Sequence, residues 1–481
     1  MPGSLAAATY FLTFVVMIAG SVGAHAQESH LLAEEPSGTV EVTGETRVIV
    51  AGLAGEITVQ RGPVGMLSFQ SRSHDEARGP VAVAMRLEDG VFRLGPTATA
   101  GERRLSVVLS IPPELLAEVE TADSKVKLLG LLGGVRVRGS GLDVEVEWCE
   151  GRVSLDVDGG RVRAAQSPGG IEIRGRNVDA VVSASAGPLN VRTVGGRIEA
   201  REVGGVGGET ERSEVELDGA HGPVRLSARG GSVLAKNLAL GGSFQMSAAP
   251  LSVRRSRGQI EIESDSDVRF SETDTVRVTG YGATVAGVSN AVAVEVHADG
   301  GTVTLANLGG SATVSGSGLK LSLSRLTSAR VDVATSQVQI DGVGGSLEVS
   351  GDESDVEIAN AANEVTVRTR GGNVRVRDQI GPVDVRAEGE RVEVSWGTQF
   401  PAKSSTVQND GGSVAVVFPP GAGCRVEAET RYGRIESEFP GIEITSEGTK
   451  AAGHLGPANQ STLIRIVADR DITLSTRRAE E

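Results

Sequence analysis

The sequence predicts an all-β protein built as a parallel β-solenoid, a coil in which each strand pairs with its counterpart one turn later. Two observations lead to this fold class. Aliphatic residues recur in V-x-V pairs at a constant nine-residue step, and the composition is rich in glycine (65 of 481 residues) and poor in aromatic residues (3%). Such a composition is typical of many short strands joined by tight turns.

The strands are predicted from strict alternation inside each pair, which places aliphatic side chains on one face and polar side chains on the other. Gly-Gly and Gly-Pro before many strands supply the turns, because tight corners often require positive φ. The seven consecutive pairs with one step are Val338/Ile340, Leu347/Val349, Val356/Ile358, Val365/Val367, Val374/Val376, Val383/Val385 and Val392/Val394.

The number of strands per coil follows from the charges. In the earlier part of the chain the steps often alternate ten and eight, which again sum to about eighteen residues. An eighteen-residue coil stacks Gln339, Glu357, Arg375 and Glu393 in one column, with the arginine between two acids. A twenty-seven-residue coil would place Glu357 beside Asp384, an unfavourable like-charge pair. We therefore expect two strands per coil, with three as the alternative.

Other repeat folds do not fit this short period. A propeller blade needs roughly 40 residues and a leucine-rich repeat about 20–29. A solenoid coil is not stable alone, because stacking is what covers both faces of each apolar layer. We therefore expect the coils to become stable only as an array.

The first 26 residues resemble an export signal. An apolar run from about Leu5 to Ile18 leads to Ala24-His25-Ala26, a small-x-small cleavage site. No Lys or Arg precedes the run, so an uncleaved anchor or a misplaced start is the alternative. No later stretch approaches the ~18 apolar residues of a membrane helix. The mature chain is therefore expected to be exported without such a helix, to the periplasm, the outer surface or the medium.

The remaining chain divides by strand length and turn composition. We predict a linker at 27–37, a β-rich N-terminal cap at 38–112, the solenoid array at 113–396 and a C-terminal β segment and cap at 397–481. Both ends of the array carry a Pro-Pro segment, in "IPPELLAEVET" and "FPPGAGCRVEAET". Proline lacks an amide donor and suits a place where a strand ladder begins or turns.

The net charge of −15 argues against nucleic acid or an anionic membrane as a partner, since both favour Lys/Arg patches. The simplest reading of the charge is solubility. A surface glycan or a protein is the expected partner class.

The nine-residue repeat invites comparison with the calcium β-roll, G-G-x-G-x-D-x-U-x. In "GGNVRVRD" the second-turn glycine is replaced by Val374 and the aspartate ligand by Val376. Calcium needs about 6–8 oxygen ligands, so no calcium roll is expected. The acidic clusters at Asp156–Gly160 and Ser350–Asp355 are interpreted as Asx turns.

No metal, cofactor or catalytic residue is predicted. The histidines stand apart, without zinc-ligand spacing, and no nucleophile elbow or Walker loop is present. Gly-Gly pairs without a following helix are corners, not phosphate cradles. The six histidines are His25, His30, His74, His221, His297 and His454.

A carbohydrate-active enzyme is the main alternative function, because paired acids on a β-helix face can hydrolyse glycosides. Sugar sites usually add aromatic platforms, and here the tryptophans are only Trp148 and Trp396. Trp148 follows Leu142, Val144 and Val146 in parity, so we predict that it lies in the core. Non-enzymatic function is therefore preferred.

The two cysteines, Cys149 and Cys424, are 275 positions apart. At about 4.8 Å per coil they would lie too far apart for a disulfide, whose Cα atoms lie within ~7 Å, unless the C-terminal segment folds back. Cys424 shares parity with Val426 and Ala428, which predicts a buried thiol.

The order of these features resembles the bacterial "putative adhesin" family of exported β-solenoids, whose relatives include auto-transporter adhesin-like head domains. The features are the export signal, the β-rich lead-in, "IPP…VET", the G-x-V-x-V array and the closing "FPP…VEAETRYGRIESEF…ITL". The resemblance implies a right-handed parallel β-solenoid at the cell envelope. The family carries no agreed catalytic motif, and we expect this chain to differ from true auto-transporters in having no C-terminal membrane barrel.

The sequence thus favours a non-enzymatic, exported cell-envelope β-solenoid that acts as an adhesin or a structural binding scaffold. An envelope-stress accessory protein is a further alternative. Binding specificity is expected in four stretches outside the regular register: Glu202–Gly222, Glu263–Thr275, Gly397–Gly412 and Thr445–Thr462.

Overall fold

The computed structural model describes residues 15–16, 31–73, 80–97, 104–289, 291–456 and 462–477, with side chains from residue 34 onward. The predicted signal peptide lies outside these residues apart from Val15–Val16, as do residues 27–30 of the predicted linker. The described residues contain strands and no helix, and form a parallel β-solenoid of about 17 turns. The predicted fold class is confirmed.

The chain divides into two compact units, Met1–Val233 and Leu234–Glu481. The first unit holds β1 (Val15–Val16), β2 (Leu31–Glu35), β3 (Ser37–Glu41), β4 (Arg47–Ala51), β5 (Gly55–Arg61), β6 (Met66–Ser73), β7 (Val83–Glu88), β8 (Val91–Pro96), β9 (Leu105–Ile111), β10 (Leu116–Ala122), β11 (Lys125–Leu129), β12 (Val135–Glu147), β13 (Val153–Ala165), β14 (Ile171–Ala220) and the start of β15 (Val224–Lys236).

The second unit continues from the end of β15. Its strands are β16 (Gly242–Ser247), β17 (Leu251–Ser264), β18 (Val268–Tyr281), β19 (Thr284–Val288), β20 (Ala293–Asp299), β21 (Thr302–Ser317), β22 (Lys320–Ala334), β23 (Gln337–Val343), β24 (Leu347–Asp352), β25 (Asp355–Ala359), β26 (Val365–Arg370), β27 (Asn373–Gln379), β28 (Val383–Glu388), β29 (Arg391–Trp396), β30 (Ser405–Asn409), β31 (Ser413–Phe418), β32 (Cys424–Thr430), β33 (Ile435–Ser437), β34 (Ile442–Ile444), β35 (Lys450–Leu455), β36 (Leu463–Ala468) and β37 (Ile472–Thr476).

The coil contains eighteen residues and two strand segments in the regular array. Val356 pairs with Val338 before it and Val374 after it, and Val374 pairs with Val392. A second column runs through Leu347, Val365 and Val383. All seven predicted aliphatic pairs are buried. The two-strand coil is therefore confirmed over the three-strand alternative.

The corners of the coil place residues in the left-handed region at eighteen-residue intervals. One column contains Trp148, Gln166, Ala184 and Glu202, with φ of 57°, 53°, 49° and 50°. This conformation costs a non-glycine residue roughly 1–2 kcal/mol, so it persists only because the stacked coils fix the chain on both sides. Glycine occupies many equivalent corners without that cost.

Trp148 lies on the surface, so the prediction that it lies in the core is wrong. Its left-handed backbone ends the alternation of β12, so Trp148 is 60% exposed and the next residue, Cys149, is fully buried. The parity argument fails because a residue in this conformation turns the chain out of the strand.

Gly139 shows why glycine is needed where one coil lies on the next. It has φ of 153°, and a Cβ built there would lie 1.6 Å from the carbonyl oxygen of Thr121 on the preceding coil. No side chain can be accommodated at that distance. Glycine at this position therefore permits close stacking, not only turning.

Buried serines satisfy backbone groups inside one column of corners. The Leu319 amide donates to Ser336 Oγ at 3.0 Å, and the Ser336 amide donates to Ser354 Oγ at 3.0 Å. Both hydroxyls donate onward to carbonyl oxygens two residues before them. These bonds remove the cost of burying unpaired polar groups.

The N-terminal end of the first unit carries antiparallel strands. β6 pairs antiparallel with β9 and β3, and β7 pairs antiparallel with β8 and β2. These strands cover the coil formed by β8 and β9, which would otherwise expose open strand edges.

The "IPP" segment of the first unit connects two coils that are not adjacent, because a third coil lies between them. β4 pairs in parallel with both β8 and β10, and β5 pairs in parallel with both β9 and β11. The coil of β4 and β5 therefore lies between the two coils that Ile111-Pro112-Pro113 connects.

The "FPP" segment of the second unit also connects two coils that are separated by a third, but here the third coil comes later in the chain. It leads from β31 to β32, yet β36 pairs in parallel with β30 and β32, and β37 with β31 and β33. The last coil of the chain thus inserts between the two coils that Phe418-Pro419-Pro420 connects. Antiparallel β35 and β34 follow β32 at the edge.

Candidate binding surface

The outward side chains of the first unit form columns in which charge alternates from coil to coil. One column runs through Glu56, Lys125, Asp143, Arg161 and Asp179, each paired in register with the next. Opposite charges directly across a strand pair stabilise a sheet by roughly 0.2–1 kcal/mol. Many exposed charges therefore align the coils, and their presence alone does not indicate a ligand-binding site.

The electrostatics of individual pairs agree with this role. A hydrogen bond to Glu56, 2.8 Å away, raises the pKa of Lys127. A hydrogen bond from Arg176 at 2.6 Å lowers the pKa of Asp158. Because these groups are close to solvent, each pair contributes little to stability by itself.

The second unit contains the predicted ladder. Gln339, Glu357, Arg375 and Glu393 are register neighbours in that order. Arg375 Nε lies 3.2 Å from Glu393 Oε2, and Arg391 Nη2 lies 3.9 Å from the same oxygen.

One rung on the other strand face breaks the alternation. Arg368 of β26 is the direct register neighbour of Arg386 of β28. Both side chains are exposed. Arg386 reaches Asp384 at 3.4 Å, whereas Arg368 forms no ion pair in the described part of the chain. Like charges directly opposite are destabilising, so this rung is not explained by coil alignment.

A groove of about 750 Å³ lies over this rung. We call it the Arg368 groove. Hydroxyl, amide, carboxylate and guanidinium groups line it, so it can offer both donors and acceptors to a ligand. Its polar side chains include His297, Asp332, Asp352, Arg368, Arg386 and Gln408.

A second open groove, of about 400 Å³, lies on the other strand face nearer the start of the second unit. Arg254, Arg255 and Arg269 line it, together with Glu272. These arginines form no ion pair among the described residues, and nor does Arg257, two residues beyond Arg255. We call these four arginines the Arg254 patch.

The acidic clusters serve the backbone. The Arg176 backbone amide donates to Asp158 of the first cluster at 3.2 Å, and the Asn373 backbone amide donates to Asp355 of the second at 2.9 Å. Among the described residues, no group of three or more His, Cys, Asp or Glu side chains converges as a metal site would require.

The described histidines are separate. His221 Nε2 lies 2.8 Å from Glu202 and His297 Nδ1 lies 3.0 Å from Ser315 Oγ, while His454 pairs in register with Arg425. His25, His30 and His74 lie outside the described residues.

The four stretches expected to carry specificity are mostly regular. Glu202–Gly222 falls almost wholly within β14, so the loop predicted there is wrong. Glu263–Thr275 spans the end of β17 and the start of β18, and the register shifts within it, where Thr273 pairs with Ser256 but Thr275 pairs with Gln259. Gly397–Gly412 is irregular only up to β30, and Thr445–Thr462 includes β35 with 457–461 outside the described residues. In Glu202–Gly222, extended strand replaces the expected loop.

Both cysteines are free and buried, which confirms the buried thiol predicted at Cys424. Trp396 is fully buried and packs against Phe400 and Phe418, with ring centroids 5.2 Å and 5.7 Å away. Neither tryptophan therefore forms part of either groove. No described helix has the length and apolarity needed to cross a membrane.

Comparison with known proteins identifies a related domain type. Residues 251–474 match the profile of the Toastrack family, DUF4097. A crystal structure titled "putative cell adhesion protein" from Clostridium sporogenes ATCC 15579 aligns at 9% identity over 92% of this chain and 100% of that chain, with a TM-score of 0.12. A search of curated proteins gave no match. The chain is an all-β solenoid that is similar, over residues 251–474, to a Toastrack domain.

Proposed function

We propose that this protein is a non-enzymatic, exported cell-envelope β-solenoid that binds a surface partner through its lateral faces, as an adhesin or binding scaffold. The observation that carries the proposal is the Arg368–Arg386 rung in the Arg368 groove. The adhesin resemblance in the sequence and the Toastrack match are consistent with an envelope role.

The rung supports binding because the rest of the neighbouring surface is internally matched. Between Lys320 and Trp396, opposite charges meet in register at five positions and like charges at one, Arg368–Arg386. The five are Arg330–Glu348, Asp352–Arg370, Arg370–Glu388, Glu357–Arg375 and Arg375–Glu393. A repulsive rung that costs stability is what a surface kept for a ligand is expected to contain.

The surroundings of the acids favour binding over glycoside hydrolysis. Hydrolysis uses two carboxyl groups about 5–9.5 Å apart, one of them held protonated. In the Arg368 groove, Arg370 lies in register between Asp352 and Glu388. Arg370 thus places a cation between the two acids, an arrangement that suits electrostatic recognition of a ligand.

The first test is retention of the mature protein on glycan and protein arrays, with R368Q/R386Q beside it. We expect the wild-type protein to bind. The affinity of the double variant should be lower by about tenfold or more, since two charge-assisted contacts are removed. The matched control is R277Q/R330Q, which removes two arginines that pair with Glu295 and Glu348.

Two further assays separate the alternative functions. Release of reducing ends from a polysaccharide by the wild-type protein would establish an enzyme instead. Protease shaving of intact cells should remove a surface adhesin, whereas a periplasmic accessory protein would be protected. The proposal fails if the wild-type protein binds no array component.

A further inference from the structure

We propose that the Arg254 patch binds an acidic polysaccharide, through sulfate or carboxylate groups carried on the sugars. This inference deepens the proposed binding role by naming a ligand class and a second site. It concerns the strand face that does not carry the Arg368 groove.

The first reason is the geometry of the patch. Arg254 on β17 is the register neighbour of Ser271 on β18, and Arg269 on β18 is the register neighbour of Ser252. The two arginines are thus diagonal neighbours, and such positions lie about 7–8 Å apart. Two long guanidinium side chains at that separation can hold one anionic group between them, or two groups along a chain.

The second reason is that the following coil places no acid in register with Arg254 or Arg269. Arg254 lies beside Ser271, and Arg269 lies beside Ala286. Glu272 lines the groove, Asp267 lies two residues before Arg269, and Asp274 accepts a hydrogen bond from the Gly258 amide at 2.9 Å. None of these acids forms an ion pair with the four arginines in the described part of the chain.

The third reason is that contacts inside the patch can outweigh the charge of the whole chain. With a net charge of −15, the chain repels a polyanion at long range. At physiological ionic strength, however, charges beyond about 8 Å are largely screened. The contacts inside the patch then decide binding, and arginine is the side chain best suited to planar, two-pronged recognition of carboxylate and sulfate-like groups.

The lining of the groove favours a sugar over the other polyanions. Ser252 and Ser271 offer hydroxyl groups to sugar hydroxyls, and Val288, 45% exposed, offers an apolar surface to a ring face. Single-stranded nucleic acid would require exposed aromatic side chains for stacking. The aromatic residue here, Phe270, is 3% exposed and faces the core. A lipid surface would need a broader basic or apolar face than this concave groove offers.

The test uses the mature full-length protein and immobilised dextran sulfate, polygalacturonate and neutral dextran, with phosphatidylglycerol vesicles as a separate arm. We expect binding to dextran sulfate or polygalacturonate and none to neutral dextran. Three or four arginine contacts predict that affinity falls about tenfold or more between 50 and 200 mM salt. The dextran sulfate and polygalacturonate arms show whether sulfate or carboxylate is preferred.

The R254Q/R269Q variant should lose about tenfold or more in affinity for the acidic polysaccharide. R375Q/R391Q makes the same change in formal charge on the same strand face, and should lose less than about twofold because Arg375 and Arg391 contact Glu393. Circular dichroism of both variants checks that the coil is intact.

Each outcome decides the matter. Equal losses in the two variants, binding to vesicles alone, or no binding to either acidic polysaccharide would overturn the assignment. If the wild-type protein is retained on the arrays described above but binds neither acidic polysaccharide, the binding role stands while this inference fails. If the wild-type protein binds neither the arrays nor the polysaccharides, both fail.

Discussion

Arg375 Nε lies 3.2 Å from Glu393 Oε2, one coil and eighteen residues further along the chain. Glu357 is the register neighbour of Arg375 on the other side. The arginine thus stands between two acids on consecutive coils. This relationship summarises how the sheet surface is organised, because outward charges are matched from one coil to the next.

Reversing this charge should destabilise the array. R375E would place three acids in consecutive register positions, and we expect a loss of about 1 kcal/mol or more, since two favourable neighbours become unfavourable. Urea unfolding midpoints at low and high salt measure it, and salt should reduce the loss. R375A, which removes the charge without reversing it, should lose less. A salt-independent loss would show that the charge ladder is not the cause.

Reversing the charge at Arg368 should act in the opposite direction. R368E would place an acid beside Arg386, and we expect a gain of about 0.5 kcal/mol in the free energy of unfolding. The same variant should bind its partner less well, because the rung would then be satisfied within the protein. A loss of stability comparable to that of R375E would contradict our explanation of the like-charge rung.

The two tryptophans provide a matched comparison of core and surface. Trp396 is fully buried among aromatic rings, and its Nε1 donates to the Gly381 carbonyl oxygen at 3.3 Å. Trp396→Ala should cost about 3–5 kcal/mol. Trp148 is 60% exposed, so Trp148→Ala should change stability by no more than about 0.5 kcal/mol. Thermal unfolding of both variants measures the difference, and equal effects would refute the placement of these residues.

The thiols should be unreactive in the native protein. Burial raises the pKa of Cys424 to about 12 and also raises the pKa of Cys149. The thiolate is the reactive form, so a thiol reagent at pH 8 should label neither cysteine quickly. In denaturant, both of the two cysteines should react. Rapid labelling without denaturant would contradict their burial.

Acid should weaken the fold through its hydrogen-bonded carboxylates. The Ala248 amide donates to Asp265 at 2.6 Å and lowers its pKa, with further hydrogen bonds from Ser266 and Ser247. A folded-state pKa below the unfolded value of about 3.9 gives stability that is present above that value and is lost as the pH falls through the folded pKa. Asp265→Asn should therefore be less stable at pH 7 and lose less on acidification. Asp267→Asn is the neighbouring control, and identical pH profiles for D265N and the wild type would contradict this effect.

The sequence predicted the repeat well because the responsible signals are local. The nine-residue step of the aliphatic pairs determines the eighteen-residue coil, and the signs of Glu357 and Arg375 select two strands per coil. The exposure of Trp148 was missed because its left-handed corner lacks the usual glycine signal. Glu202–Gly222 was predicted to lie outside the regular register, yet it falls almost wholly within β14.

The order of the coils could not be read from the local pattern. β36 has the same alternating sequence whether it follows β32 or inserts between β30 and β32. The matching Pro-Pro segments marked both places where the chain passes over another coil. They did not show which strands form the coil in between. The grooves were missed as well, because unmatched arginines can be recognised only when the register neighbours are known.

Disulfide cross-linking across one coil tests the eighteen-residue register most directly. Gln339 and Glu357 are register neighbours in β23 and β25, and neighbouring strands lie about 4.8 Å apart, within the ~7 Å that a disulfide allows. In a background without Cys149 and Cys424, Q339C/E357C should oxidise to an intramolecular disulfide while folded. Q339C/T366C, twenty-seven residues apart, should not, because Thr366 lies on the other strand face beside Glu348 and Asp384. Cross-linking of the second pair, with none in the first, would contradict the two-strand coil and the surfaces built on it.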